Sequence, residues 1–544
     1  MRKSRKGIAC LLASILTLSL TAPAFGAEAG IREICAETGA YLVEATPQPA
    51  IGSIGGEWAV LGLARSGYQV PEGYFDRYYA AVEQAVKDAD GVLSRRKYTE
   101  YARVSLALTA IGKDPRNVAG YDLLQPLGDF EATLQQGLNG PIWALIALDA
   151  GGYDMPKNEA AGVQATRTMY LEEILRRQLP DGGFSLVGNT EYAEPEDQIG
   201  DPDITAMALI ALSRYTLRPD VQEAVDQAVI YLSEAQDQNG GFQSEGESNV
   251  ESCAQVLAAL CELHIAYDDP RFVKDGRTVL DGLLQYYKEG AGFGHSPTGG
   301  SSDQMSTEQA YYALVSLQRV TAGQNSLYQM DDVDGVTLSF GLLGRYPDLH
   351  LNQIRFPGKT FPDIGGHEDQ AAIEALTARG VVEGKSGGVF DPQGDLTRAE
   401  FSALTTRALG LEPRTLGLFS DVAGDKWYAP YVDVMRLHGI VYGVGSGKFA
   451  PDQTISRGEA ATMVQRAAKL CGLDTARTEA DIRRILSPFQ DQGDCPDWAR
   501  EAVAFCYDAG LLDPDTDMLL PNEPILRCEM AQILYRMMDQ AALL

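Results

Sequence analysis

The sequence predicts an all-α protein with two regions: an α6/α6 toroid over residues 28–323, and three repeated modules in the final third of the chain. Two observations lead to this fold class. Apolar residues recur with a helical period nearly throughout the N-terminal region, and few runs alternate as strands do. In the C-terminal region a single residue pattern occurs three times, which implies that the copies share a core.

The chain opens with the pattern of a secretory signal. Arg2 and Lys3 precede an apolar run over residues 8–20, and the small residues of "TAPAFGA" follow it. This order is typical of a signal peptide, here residues 1–27, with cleavage expected between residues 24 and 27. No later apolar run has the length of a membrane span. We therefore expect a secreted protein.

Composition excludes several classes of partner and chemistry. A net charge of -30 and a pI near 4.5 argue against nucleic acid and anionic membranes. The cysteines beyond the signal are odd in number and scattered, so we expect buried thiols and neither a disulfide framework nor a zinc ribbon. The nucleotide-binding, metalloprotease and hydrolase motifs are missing. We predict no cofactor, no metal site and no catalytic residues.

Twelve helical segments are expected in the N-terminal region, and they alternate in character. Every second segment is rich in Ala and Leu, whereas the segments between them carry more charge. A helix that is apolar all round is buried, and one with a charged face meets solvent. The expected inner helices are residues 57–67, 99–112, 138–151, 203–216, 249–265 and 306–323, and the outer ones are residues 31–45, 73–90, 121–135, 159–178, 219–237 and 270–287.

Glycine-rich loops precede three of the inner helices. They are "QLPDGGF" at residues 178–184, "QDQNGGF" at 236–242 and the looser "KEGAGFGH" at 288–295. These loops resemble the repeats of the terpenoid cyclase and protein prenyltransferase superfamily, and the resemblance implies the same toroid. It does not imply one activity, because a single fold hosts enzymes and binders alike. Residues 324–356 are expected to be a linker with strand character at 336–340.

Acidic residues lie at or near the starts of the inner helices, which should meet at one mouth of the ring. Carboxylates favour helix N-termini through the helix dipole, so a structural role explains them. Alternatively they face a cationic ligand, with aromatic residues lining the mouth. The candidate ligand site consists of Glu57, Trp58, Glu100, Trp143, Asp201, Asp203, Glu251 and Glu308.

Enzymes and carriers of similar fold supply alternatives. Squalene–hopene-type cyclases use an Asp-x-Asp-Asp motif, and Asp201-Pro202-Asp203-Ile204 lacks its last aspartate. Prenyltransferases bind zinc through Asp-x-Cys and a His; Glu251-Ser252-Cys253 is comparable, but Glu308 stands near the place of the His. Cobalamin carriers add a β-rich domain that residues 324–356 are too short to form. We therefore expect a toroid that binds a small molecule or a surface protein, or acts as a scaffold, without catalysis.

Each C-terminal copy combines a Phe-x-Asp opening with an x-Arg-x-Glu start to a second helix. Copies one and two run in parallel as "GVVEGKSGGVFDPQGDLTRAEF" and "GIVYGVGSGKFAPDQTISRGEA". Copy one has His367-Glu368 where the others have Trp427 and Trp498, and copy three reads Leu-Arg-Cys-Glu after "DPDTDMLLP". Ser/Thr-x-x-Glu is also a helix-capping box, which leaves a purely structural interpretation open.

The copies resemble the S-layer homology module of bacterial surface proteins. The resemblance implies a three-module helical pseudo-trimer, with modules at 357–411, 415–474 and 486–541, that binds pyruvylated secondary cell-wall polysaccharide at the cell wall or S-layer of a bacterium. An arginine at a helix start can grip an acidic group with two parallel hydrogen bonds, and the Glu two positions on would orient it or cap the helix. The expected polysaccharide site consists of Arg398, Arg457, Arg527, Glu400, Glu459, Trp427, Trp498, Asp363, Asp421 and Asp491.

Overall fold

The computed structural model of the chain describes residues 22–544 except 191–193, 195–197, 245, 298–299, 335–345, 347–348, 351, 513–516 and 542. Most of the expected signal peptide and the expected strand at 336–340 lie outside the described residues. Within the described ranges, no helix is both long and apolar enough to cross a membrane.

Helices dominate the N-terminal region of the described chain, and two short antiparallel hairpins lie in loops between them. The hairpins pair β1 (Gln243–Ser244) with β2 (Glu247–Ser248) and β3 (Tyr287–Lys288) with β4 (Gly292–Phe293). The helices are α1 (Ala22–Ala45), α2 (Glu57–Ser66), α3 (Tyr74–Asp88), α4 (Thr99–Ala110), α5 (Phe130–Thr133), α6 (Asn139–Ala150), α7 (Arg167–Arg176), α8 (Pro202–Leu212), α9 (Pro219–Ala235), α10 (Val250–Glu262), α11 (Val279–Leu284) and α12 (Gln304–Thr321).

The even-numbered helices form a closed ring. Helices α2, α4, α6, α8, α10 and α12 each pack on the next, and α12 returns to α2. They are largely buried because apolar residues predominate in their sequences: in α6 each residue from Gly140 to Ala150 is buried. Helices α1, α7, α9 and α11 pack against α12, α6, α8 and α10 in turn. The predicted α6/α6 toroid is therefore confirmed.

Three of the expected outer helices were predicted too long. The segment 121–135 contains only α5 and two 3-10 turns, because Pro126 and Gly128 interrupt it. Helix α7 begins at residue 167 rather than 159, where Thr166 caps it by accepting from the Met169 N–H. The segment 270–287 turns at Asp275 and Gly276, both at positive φ, before α11 starts.

The Gly-Gly-Phe loops bind the outer layer to the inner one. The rings of Phe184 and Phe242 are fully buried, so they plug the space between helices. Gly240 has a φ of +83°, and a Cβ there would lie 2.1 Å from the Thr278 carbonyl oxygen. Both the backbone conformation and the close approach therefore require glycine at this position.

The chain that follows α12 covers the end of the ring at which the inner helices finish. Leu327 and Met330 are fully buried there. Arg65 of α2 and Arg319 of α12 both pair with the Asp332 carboxylate. Arg65 also donates to backbone carbonyls in this segment. Residues 326–332 are thus built into the toroid.

The C-terminal copies pack in a cycle. Copy one contains α13 (Gln370–Ala378) and α14 (Arg398–Ala408), copy two α15 (Ala429–Leu437) and α16 (Arg457–Leu470), and copy three α18 (Asp497–Asp508) and α19 (Arg527–Gln540), with α17 (Glu479–Leu486) between copies two and three. Helix α14 packs on α15, α16 on α18, and α19 back on α13. The second helix of each copy thus contacts the first helix of the next, which confirms the three-module pseudo-trimer.

The toroid and the copies touch through aromatic and charged side chains. The Tyr346 ring lies edge-on to Tyr215 at 5.4 Å and to His438 at 5.1 Å. Arg414 pairs with Glu172 beside a cleft of about 470 Å³. Burial lowers the pKa of His438 to about 3, so its imidazole is neutral at this contact.

Gly240→Ala should lower the melting temperature of the toroid much more than Gly276→Ala. Both glycines have positive φ, but only open space surrounds a Cβ at Gly276. Gly276→Ala should cost about 1 kcal/mol from backbone strain alone. Gly240→Ala adds the contact with the Thr278 carbonyl oxygen and should cost roughly twice that or more. Calorimetry of both variants measures the difference, and equal melting temperatures would contradict the close approach.

Candidate functional site

At the mouth of the toroid, Glu57 is held from several sides. Its carboxylate accepts from the Gly52 N–H at 3.0 Å and from Arg103 Nε at 2.8 Å. The side chain is fully buried, and burial raises the pKa of Glu57 while the Arg103 guanidinium opposes that rise. Glu100, in the first turn of α4, is partly exposed.

Asp201 and Glu251 are bound through both carboxylate oxygens. Asp201 caps α8 by accepting from the Ile204 N–H at 3.0 Å, and it accepts from Ser244 Oγ at 2.6 Å. Glu251 accepts from Ser306 Oγ at 2.6 Å, and its other oxygen lies 2.8 Å from His295 Nδ1. Asp201 thus caps α8 and binds β1, and Glu251 links α10 to α12.

Glu308 and Asp203 each keep one buried oxygen that has no hydrogen-bond partner among the described residues. Glu308 Oε1 accepts from the Gly55 N–H at 2.8 Å and from Gln304 Nε2 at 3.0 Å, while Oε2 is unpaired. Burial raises the pKa of Glu308 to about 7 and the pKa of Asp203 to about 7.

Aromatic side chains pack together inside the ring of inner helices. The Trp58 ring lies 5.1 Å from Trp143 and 5.7 Å from Tyr312, and Trp143 lies 6.3 Å from Tyr328 of the closing segment. Gln255 Nε2 donates to the Tyr312 hydroxyl at 2.7 Å. This arrangement is typical of a packed core with a small polar network.

In each C-terminal copy the aspartate of Phe-x-Asp fixes the loop before the second helix. Its two carboxylate oxygens accept from two successive backbone N–H groups, a geometry that holds the loop and suits an ionised carboxylate. The pairs are Phe390 and Asp391 for Asp363, Phe449 and Ala450 for Asp421, and Leu519 and Leu520 for Asp491, at 2.7 to 2.9 Å.

The arginine that starts each second helix crosses to the next copy. Arg398 Nε donates to the Phe449 carbonyl oxygen at 2.9 Å, and Nη1 donates to Glu459 at 2.7 Å. Its guanidinium carbon also lies 5.0 Å from the Phe449 ring centroid. Copy one is thereby joined to copy two at what we call junction 1/2.

The other two arginines repeat this arrangement. At junction 2/3, Arg457 donates to the Leu519 carbonyl oxygen at 3.0 Å and pairs with Glu529. At junction 3/1, Arg527 Nε donates to the Phe390 carbonyl oxygen at 2.9 Å. There the guanidinium lies 3.8 Å from the Glu400 carboxylate, so this ion pair is looser than the other two.

The glutamate after each arginine serves two copies at once. Glu400 and Glu459 cap their own helices, with Thr397 and Ser456 completing capping boxes. Copy three keeps half of the box: Glu529 accepts from the Leu526 N–H at 2.9 Å, and a leucine side chain has no acceptor for the other half. The second oxygen of each carboxylate receives the arginine of the preceding copy.

The backbone N–H groups at the starts of the second helices are already hydrogen-bonded. The N–H of Arg398 donates to Gln453 O at 2.8 Å, and the N–H of Ala399 donates to Pro451 O at 3.0 Å. Equivalent bonds occupy the starts of α16 and α19. An acidic ligand would therefore meet the guanidinium, not the helix dipole.

Two junctions each have an exposed tryptophan on their helix pair, at a position that we call the rim. Trp427 precedes α15, which packs on α14, and Trp498 lies in the first turn of α18, which packs on α16. Their exposed fractions are 57% and 59%. Copy one has Glu368 at the corresponding position, so junction 3/1 has no tryptophan rim.

The family comparison decides what the three copies are. Residues 360–402, 418–461 and 488–531 each match the model of the S-layer homology domain. These copies are S-layer homology domains. They place the protein at the cell wall or S-layer of the cell surface.

The relatives include surface-layer proteins and one named for an enzyme. The chain is 31% identical over 183 residues to the surface-layer 125 kDa protein of Lysinibacillus sphaericus, covering 33% of this chain and 15% of that protein. It is 29% identical over 189 residues to the S-layer protein sap of Bacillus anthracis, covering 34% and 22%. It is also 31% identical over 185 residues to an amylopullulanase of Thermoanaerobacterium thermosulfurigenes, covering 34% and 10%. The chain spans about a tenth to a fifth of the length of these relatives.

Solved structures similar to the chain include two enzymes. The unsaturated glucuronyl hydrolase of Bacillus sp. GL1 has a TM-score of 0.33 and 14% identity, covering 56% of this chain and 99% of that one. The Candida albicans protein geranylgeranyltransferase-I has a TM-score of 0.31 and 12% identity, covering 47% and 82%. Likeness at this level carries no weight for function, and the toroid is established by its own closed ring of helices.

Two features of the S-layer homology domains escaped the sequence analysis. Glu400 and Glu459 cap their own helices, which was one of the two roles expected, but the arginine that each contacts belongs to the preceding domain and is not the one two positions before it. Glu529 takes part in the same way, although the expected site does not include it. Its place in the third Arg-x-Glu element was the available signal.

Glu308→Gln should change how the stability of the toroid depends on pH. The pKa of Glu308 is raised from 4.5 to about 7 in the fold, so the folded state holds a proton that the unfolded state releases between those values. The wild type should therefore lose stability as pH rises from 5 to 8, by up to about 3 kcal/mol. The variant should lose less, as measured by melting temperatures at both pH values. If the melting temperature of the variant fell between pH 5 and 8 as much as that of the wild type, the prediction would be wrong.

Proposed function

We propose that this protein is held non-covalently to the bacterial cell wall by its S-layer homology domains, which bind pyruvylated secondary cell-wall polysaccharide, and that it displays the toroid at the surface. The observation that carries the proposal is the chemistry of junctions 1/2 and 2/3. Each combines an arginine, buried for Arg398 and half-buried for Arg457, with a largely exposed tryptophan on the helix pair of the same junction. A guanidinium suits the carboxylate of a pyruvyl group, and an indole suits the apolar face of a sugar.

The arginines keep donor capacity for such a ligand. Arg398 uses Nε and Nη1 within junction 1/2, and its Nη2 has no hydrogen-bond partner among the described residues. Arg457 is arranged in the same way at junction 2/3. The Glu459 and Glu529 carboxylates fix the two guanidinium planes, so a ligand would meet preoriented donors.

Junction 3/1 is a poorer binding site in this proposal. Arg527 Nη2 contacts the Glu383 carbonyl oxygen at 3.4 Å, and Glu368 stands in place of the rim tryptophan. A carboxylate at the rim would repel an acidic ligand. We therefore assign polysaccharide binding to junctions 1/2 and 2/3.

We propose a non-catalytic role for the toroid, as a scaffold or as a binder of a small molecule or surface protein. Trp58, Trp143 and Tyr312 pack against one another inside the ring, and Asp201 and Glu251 are engaged through both oxygens. These groups act as core and caps. Turnover of a polyprene substrate to a cyclised product by the purified protein would overturn this role.

Trp427→Ala and Trp498→Ala should each weaken wall binding roughly tenfold, because each removes one ligand face worth about 1.4 kcal/mol. Pelleting with purified cell walls at varied protein concentration measures the effect. The melting temperature should stay at the wild-type value, because both side chains are largely exposed. Alanine at Arg398 or Arg457 is a less clean test, since it also breaks a junction.

Ile230→Ala is the matched control, since Ile230 is an exposed apolar residue on α9 of the toroid. It should pellet like the wild type. Removing the pyruvyl groups from the polysaccharide by mild acid should abolish the binding of the wild type. Wall binding that survives the double tryptophan variant and the loss of pyruvyl groups would refute the proposal.

A further inference from the structure

Copies one and three each contain residues that depart from the repeat pattern, and these residues lie together at junction 3/1. Cys528 follows Arg527 at the place that Ala399 and Gly458 hold in the other copies. The copies can be aligned on the glycine that follows the first helix. In this alignment Asp369 corresponds to Tyr428 of copy two and Ala499 of copy three, and His367 corresponds to Lys426 and Asp497. Three unusual residues from two copies are thus brought to one junction.

These three residues form a compact group of potential metal ligands. One ligand atom from each of His367, Asp369 and Cys528 lies within 4.8 Å of the others. His367 Nδ1 is 3.8 Å from an Asp369 carboxylate oxygen. The His367 and Asp369 side chains are 18% and 14% exposed, and Cys528 is buried behind them. An ion from solvent would therefore meet the imidazole and carboxylate first.

We propose that His367, Asp369 and Cys528 bind a zinc-type divalent transition-metal ion that ties domain three to domain one. Imidazole nitrogen, carboxylate oxygen and thiolate sulfur are the donors that zinc takes in proteins, and water completes a tetrahedral set. Ligand atoms around zinc lie about 3.3–3.8 Å apart, so closure requires side-chain movements on the order of 1 Å. On binding, the thiol loses its proton to solvent and its sulfur forms the bond to zinc.

Several neighbouring groups bear on how this ion would bind. Cys528 lies in the first turn of α19, and burial raises the pKa of its thiol to about 11, so the bond to the metal would have to displace the thiol proton. Gln393 Nε2 lies 3.5 Å from His367 Nε2, and with its amide turned it would orient the ring through that nitrogen. The carboxylate of Glu529 faces the thiol, and Arg536 faces Asp369.

The metal would reinforce the junction whose cross-domain ion pair is the longest. The Arg527–Glu400 pair is the loosest of the three cross-domain ion pairs. Junction 3/1 is also the only one that joins the two domains at opposite ends of the triplet, so it closes the cycle. Metal–ligand bonds at this junction would close a long loop of the chain. Because closing that loop lowers the entropy of the unfolded chain, the bonds would stabilise the folded cycle.

Zinc titration of the untagged full-length chain, stripped with a chelator beforehand, tests the proposal. Calorimetry should show one zinc bound per chain, and cobalt used as a spectroscopic probe should give a thiolate charge-transfer band. Zinc at a hundredfold excess over its Kd should raise the melting temperature by roughly 5 °C or more. Cys528→Ala and His367→Asn should each weaken zinc binding on the order of a hundredfold and remove the stabilisation.

The variants separate this cluster from the other thiols of the chain. Alanine is the natural residue at the equivalent position of copy one, Ala399, so Cys528→Ala is expected to fold. A double variant, Cys528→Ala with Ala399→Cys, moves the thiol to junction 1/2, where Lys426 and Tyr428 stand at the places of His367 and Asp369, and should not bind. The proposal is overturned if the wild type takes no zinc, if either single variant binds like the wild type, or if the relocated thiol restores binding.

Discussion

The C-terminal region of the molecule depends on one cross-domain contact made three times. An arginine at the start of each second helix reaches the next domain, where it meets a backbone carbonyl and a glutamate. The glutamate caps its own helix with its other oxygen. The cap at the start of each second helix is therefore coupled to the position of the arginine from the preceding domain. The same contact thus links each helix cap to the packing of one domain on the next.

The same contact sets the geometry of the proposed binding sites. The hydrogen bonds of Arg398 Nε and Nη1 within the junction fix the plane of the guanidinium. They therefore also fix the direction in which Nη2 could donate to a ligand. The rim tryptophan follows from the packing of α15 on α14. In the proposed mode of binding, Arg398 serves both folding and wall binding, so an arginine substitution would not separate the two roles. Substitution of the exposed tryptophans can separate them.

In the toroid the corresponding constraint is closure of the inner ring. The six inner helices are largely buried in the ring, so the polar groups near their N-termini need hydrogen-bond or ion-pair partners within the protein. Glu57 with Arg103, and Glu251 with Ser306 and His295, satisfy that requirement. Glu308 and Asp203 each keep one unpaired oxygen among the described residues, and burial raises the pKa of both carboxyl groups to about 7.

The sequence was sufficient for the architecture because its signals are local or periodic. Alternation of apolar and charged helices predicted the ring, and three copies of Phe-x-Asp and Arg-x-Glu predicted the pseudo-trimer. Helix ends were less predictable, since Pro126 and the Asp275-Gly276 turn outweighed an otherwise helical pattern. Contacts between distant residues, such as Arg398 with Glu459 or His367 with Cys528, follow only from the cyclic packing.

A double-mutant cycle on Arg398 and Glu459 tests the central contact most directly. Glu459→Gln keeps an oxygen for the helix cap while removing the charge, and Arg398→Gln removes the crossing guanidinium. The account predicts a coupling free energy of about 1 kcal/mol or more between the two residues, measured by calorimetry of the wild type, both single variants and the double variant. Effects that add to within about 0.3 kcal/mol would show that the two side chains act independently, and would contradict the account.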